Sequence, residues 1–193
     1  IYGMTIAVTQ TAEGLPRRAF TVGDVLRMVD AGILGHDERI ELIGGEIVPM
    51  SPKGIRHERL KQWVNKRLAR GLTDAYEVIP ETTFYLSDDT FIEPDFVVYP
   101  ASSGLENLSP ETCLLAIEIA DSSLSYDLGR KAAIYAHFGI RELWVMDVVA
   151  QRVVVHLSVS QKGFQDIFEF SFEHEIAPSL VDGLTLDLSA YKV

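Results

Sequence analysis

The sequence predicts a mixed α/β domain in which helices flank one central β-sheet. Short runs rich in Val, Ile, Phe and Tyr alternate along the chain with segments whose apolar residues recur every three or four positions. Of the 193 residues, 47% are hydrophobic, enough to fill a sizeable core. No internal repeat or low-complexity segment breaks this order.

Residues 1–19 read as a tag remnant and a polar arm, with Ile1, Tyr2 and Gly3 ahead of an expected native start at Met4, and residues 20–193 as one domain. In "FTVGDVLRMVDAGIL", Thr21 caps a helix, Asp24 stands at the reciprocal capping-box position, and Val22, Val25, Leu26 and Val29 form its apolar stripe. "RIELIGGEIVPMSP" reads as a hairpin turning on Gly44 and Gly45, which accept the positive φ of a tight primed turn. "RHERLKQWVNKRLARGL" places Leu60, Trp63, Val64 and Leu68 on one helical stripe with His57 at or near it. "YEVI", "TTFYLS" and "FIEPDFVVY" read as a meander of strands, and "CLLAIEIA" as a buried strand. "LGRKAAIYAHFGI" is a helix stopped at Gly139, "ELWVMDV" and "RVVVHLSV" are two more strands, and "FQDIFEFSF" precedes a docking tail. Asp121, Ser122 and Ser123 stand where they would cap the helix after them.

Net charge is −11 with a pI near 4.8, which argues against a general nucleic-acid coat protein, since such binding runs on phosphate neutralisation. The balance is uneven: Lys53, Arg56, Arg59, Lys61, Lys66, Arg67 and Arg70 face Glu58 alone, either a local basic face or an ordinary solvated one. The single cysteine, Cys113, allows no internal disulfide, and no apolar run reaches the roughly 18 to 20 residues of a spanning helix, so a cytoplasmic location is the expectation. P-loop, dinucleotide, zinc-ligand and serine-elbow motifs are absent.

Two acids stand out. Asp95 in "FIEPDFVVY" and Glu118 in "CLLAIEIADSS" sit inside apolar strand-like runs, where an unpaired carboxylate costs at least several kcal/mol. If the two strands are neighbours, both acids converge, and a divalent cation would reverse the cost, since Mg²⁺ takes one or two carboxylates plus water and phosphate oxygens. The alternative is a pair of strand-end acids, solvated or bridged to an arginine. Asp127, Lys131 and Tyr135 recur every fourth residue and share a helix side, for chemistry or for scaffolding.

"ELIGGEIVPMSP", His57, "EPDFVV", "LAIEIADSSLSYD", Lys131, Tyr135 and "GIRELWVMD" together resemble the Uma family of restriction-endonuclease-like proteins, common in cyanobacteria, from about Phe20 to Tyr191. The resemblance implies the PD-(D/E)XK nuclease superfamily and its restriction-endonuclease-like fold, a central mixed β-sheet flanked by α-helices. It makes Pro94 and Asp95 the "PD" pair, Glu118 the second acid, Glu41 a helper acid, and the main-chain carbonyl of Ile119 a further ligand of Mg²⁺ or Mn²⁺. His57, Asp127 and Tyr135 are auxiliary. The superfamily lysine two residues after the second acid is here Ala120, and Lys131 is the candidate replacement. Lys53, Arg56 and Lys61 are the expected nucleic-acid contacts. The implied activity is metal-dependent phosphodiester hydrolysis, with DNA as the substrate; the alternative is an inactive nucleic-acid-binding or protein-interaction module on the same fold. A homodimer would pair through the apolar strands between Trp144 and Leu157.

Overall fold

The computed structural model describes residues 8–10 and 14–192, so the readings of Ile1–Gly3 as a tag and Met4 as the start lie outside the described residues. In chain order the elements are β1 (Val8–Gln10), β2 (Pro16–Arg18), α1 (Val22–Asp30), β3 (Ile40–Ile43), β4 (Glu46–Pro49), α2 (Ile55–Gly71), β5 (Tyr76–Pro80), β6 (Phe84–Ser87), β7 (Thr90–Ile92) and β8 (Phe96–Pro100). Then follow β9 (Leu115–Ala120), α3 (Leu124–Tyr126), α4 (Ala132–His137), β10 (Leu143–Asp147), β11 (Arg152–Ser160), β12 (Gly163–Ser171), β13 (Glu175–Ile176) and β14 (Leu186–Asp187). The described elements fall into two compact units, one formed by those up to residue 52 and over 83–93, the other by those over 53–82 and from residue 94 onward.

The first unit is built on local signals that the sequence carries. Thr21 Oγ1 accepts the Asp24 amide at 3.1 Å and Asp24 Oδ2 accepts the Thr21 amide at 2.9 Å, so the capping box that starts α1 is complete. Gly44 and Gly45 turn the β3–β4 hairpin at φ of 56° and 81°. A Cβ on Gly45 would fall 2.5 Å from Ala19 Cβ, so this position tolerates only glycine. The unit's sheet runs β4-β3-β7-β6, all antiparallel, and closes a small core around Val25, Leu42 and Phe91.

The expected meander is not what forms. β6 and β7 make a hairpin in this sheet, whereas β5 and β8 pair in the other one. "FIEPDFVVY" is accordingly not one strand: it ends as β7 at Ile92 and resumes as β8 at Phe96. Pro94 has no amide to give a ladder, which breaks pairing between them.

The second unit holds a mixed six-stranded sheet in the order β12-β11-β10-β9-β8-β5. Its one parallel pair, β9 with β10, is joined by the helical segment between them, as a parallel connection requires. Leu60, Val64 and Leu68 of α2 are fully buried against Phe96, Ile117, Ile119 and Trp144, which confirms the stripe read from their spacing. Val181, Leu184, Leu186 and Leu188 join that core, so the tail docks as expected. Glu142 anchors the segment: its carboxylate accepts the Trp144 indole N–H at 2.7 Å and the Ser179 amide at 2.8 Å.

Three details differ from expectation. The helix read over 128–140 runs from Leu124 to His137 and contains a π turn at Asp127–Lys131, an irregularity often found where side chains must be re-aimed. The strands between Trp144 and Leu157 have hydrogen-bonded neighbours on both sides, so neither offers a free edge to a second copy. Asp121 does not cap α3, whose Ser123 N-cap makes no side-chain capping bond; it pairs with Arg56 instead, at 2.9 Å. Among the described residues no helix is long and apolar enough to cross a membrane.

Candidate active site

β8 and β9 are antiparallel neighbours, with Phe96 opposite Ile117 and Val97 opposite Ala116. Carried one residue further, that register sets Asp95 opposite Glu118. The convergence inferred from strand alternation is therefore present, and both side chains are buried. Asp95 is tied directly to β9, because its Oδ2 accepts the Ile119 amide at 2.8 Å.

Within β9 the two faces part company. Leu115, Ile117 and Ile119 point into the core with α2, while Glu118 faces the α3–α4 segment, flanked two residues away on each side by Ala116 and Ala120. Those small residues leave room for larger groups from the helix. Lys131 Nζ lies 2.9 Å from Glu118 Oε1, and the Tyr135 hydroxyl donates to the same oxygen. Lys131 thus reaches the acid that Ala120 does not serve. Asp127, also buried, accepts the Ser123 hydroxyl at 2.5 Å. Burial pushes the Glu118 carboxyl up to about 8; Lys131 opposes this, while the charges of Asp95 and Asp127 add to it. The ion pair alone would favour the charged form, but desolvation outweighs it, and the direction is upward.

Asp95 behaves oppositely. Burial raises its pKa, but His57 and Lys53 more than offset this and hold it at about 2. His57 Nε2 is 3.2 Å from Asp95 Oδ2, and its ring is buried at the start of α2 rather than facing water. Lys53 Nζ is 2.7 Å from Asp95 Oδ1. The three cations expected to meet nucleic acid all carry acid partners: Lys53 with Asp95 and Glu81, Lys61 with Glu58 and Glu81, Arg56 with Asp121. Glu58 and Glu81 are participants that the pattern of the sequence did not single out, since neither interrupts an apolar run. Glu41 belongs to the first unit, where it is buried and accepts the Glu93 amide at 3.2 Å.

Among the described residues no three His, Cys, Asp or Glu side chains converge as a ready metal cluster. The donor set is instead two buried carboxylates, Asp95 just ahead of β8 and Glu118 within β9, beside the main chain of Ile119. The chemistry of that set, hard oxygen donors only, fits a hard divalent cation, which would complete its shell with water and substrate oxygens.

No protein of curated function matches the chain. A solved structure, described as "a putative nuclease belonging to DUF820" from Anabaena variabilis ATCC 29413, is 19% identical and superposes with a TM-score of 0.64 over 88% of this chain and 96% of that one, which shows a shared fold. The Uma2 family model, described as "Putative restriction endonuclease", matches residues 24–189. By that match across most of its length, the chain belongs to the Uma2 family.

Proposed function

We propose that this protein is a divalent-metal-dependent nuclease that hydrolyses phosphodiester bonds in DNA. The observation that carries the reading is that Asp95, at the entry to β8, is bonded to the Ile119 amide beside Glu118 on β9, with Lys131 on Glu118. Asp95, Glu118 and the Ile119 carbonyl would hold Mg²⁺ or Mn²⁺, which when bound supplies a Lewis acid to the scissile phosphate and lowers the pKa of a water. Lys131 supplies an ammonium that orients the attacking water and offsets charge growing on the phosphoryl oxygens. Tyr135 fixes the Glu118 carboxylate, and His57 fixes Asp95, so neither acid has rotamer freedom to lose when substrate arrives. In the same reading the enzyme works in the cytoplasm, and a homodimer would use β12, the edge strand that exposes Ile167 and Phe168.

One observation favours the second reading, an inactive binding module: both acids already have ammonium partners. Incubation of plasmid and linear DNA with Mn²⁺ decides between them. The nuclease reading expects cleavage by the wild type, none by Glu118→Ala, and a loss of about 100-fold or more in Lys131→Met. Cleavage that survives in Glu118→Ala would sink it; DNA binding without turnover would favour the module.

A further inference from the structure

The charges around Asp95 close into a ring. Lys53 Nζ bridges Asp95 Oδ1 at 2.7 Å and Glu81 Oε1 at 2.8 Å. Lys61 Nζ joins that same Glu81 oxygen at 2.9 Å to Glu58 Oε2 at 2.9 Å. Glu58 Oε1 stands 3.2 Å from His57 Nδ1, and His57 Nε2 returns to Asp95 Oδ2 at 3.2 Å. Three acids alternate with two ammonium groups and one imidazole.

Within this ring the two oxygens of Asp95 are not equivalent. Oδ2 takes two donors, the Ile119 amide and His57, whereas Oδ1 faces Lys53. A divalent cation approaching Asp95 would need Oδ1, and an ammonium in contact with that oxygen repels it at close range in a poorly screened place. We propose that Lys53 is the resident counter-ion of Asp95, the group a divalent cation must displace, so that Lys53 sets the metal affinity of the site. This inference rests on the metal-site reading above.

Two further features make the exchange cheap. Lys53 keeps Glu81 as a partner when it leaves, because Nζ already contacts Glu81 Oε1 at 2.8 Å beside Lys61. Its side chain is 13% exposed, on the Ser51–Gly54 segment ahead of α2, so the flexible stem can swing outward without unravelling an element. Lys131 differs, being buried in the π turn and held at Glu118. Once displaced, Lys53 becomes a cation available to a backbone phosphate, the role the sequence suggested for it.

Calorimetric titration of Mn²⁺ into the full chain tests this with the wild type, Lys53→Met, Lys53→Gln and Glu118→Ala. Glutamine keeps a hydrogen-bond donor for Asp95 and guards against loss of fold. Both Lys53 variants should bind Mn²⁺ at least about tenfold more tightly than the wild type. Without metal they should melt at lower temperature than the wild type, and saturating Mn²⁺ should close that gap, whereas a purely structural lysine would leave it unchanged. Equal or weaker binding by both Lys53 variants, with binding lost in Glu118→Ala, overturns the counter-ion role and leaves the metal site standing. Binding in Glu118→Ala equal to the wild type overturns the metal site and this inference with it.

Discussion

Replacing Glu118 with glutamine should flatten the dependence of stability on pH between pH 5 and pH 8. A free glutamate titrates near 4.5, and burial in β9 carries Glu118 up to about 8. Across that interval the folded chain keeps a proton that the unfolded chain has released, so the unfolded state binds fewer protons and stability falls as pH rises. The contribution is complete below pH 4.5 and gone once pH passes 8. One proton of difference corresponds to about 1.4 kcal/mol per pH unit, on the order of 4 kcal/mol over the window. Asp95 does not blur the signal, because its lowered pKa supplies stability above 3.8 that is lost only as pH falls toward 2. Urea unfolding at pH 5, 6, 7 and 8 measures this directly. The wild type should weaken steadily and Glu118→Gln should stay nearly level; parallel profiles, or a wild type that gains stability over the range, would refute the account of a desolvated carboxyl.

Two smaller predictions concern the partners. Tyr135→Phe removes the hydroxyl that donates to Glu118 and should lower stability by about 1 kcal/mol at pH 8 in urea unfolding, with a smaller loss at pH 5 where the acid is neutral. Glu142→Gln disturbs a buried acceptor shared by Trp144 and Ser179; it should cost about 1–3 kcal/mol and speed amide exchange in the tail after Ser179, while Mn²⁺ binding stays at the wild-type level.

Features governed by neighbours in sequence were legible. Thr21 with Asp24, the Gly44–Gly45 turn and the stripe of Leu60, Val64 and Leu68 each follow from local spacing, and the structure reproduces them. The meeting of Asp95 and Glu118 was also readable, because an acid in an apolar strand demands a partner and strand alternation says which face it takes. What escaped depends on long-range pairing. Nothing in "FIEPDFVVY" says that its halves belong to different sheets, although Pro94 marks the break. The π turn at Asp127–Lys131 replaces a register that spacing alone reads as regular helix. The partners of Lys53, Lys61 and Arg56 come from residues 20 to 65 positions away as well as from close by, so a run of basic residues looked like open positive surface when its inner members were already paired. Within α2, Arg59, Lys66 and Arg70 carry no acidic partner among the described residues.

The central claim is that Asp95 and Glu118 form a site for a divalent cation. Calorimetric titration of Mn²⁺ at pH 7 into the wild type and Asp95→Asn, each first shown to be folded by circular dichroism, tests it most directly. The account predicts saturable binding by the wild type that Asp95→Asn loses. The same isotherm for both proteins would contradict it and would make the facing carboxylates part of the scaffold.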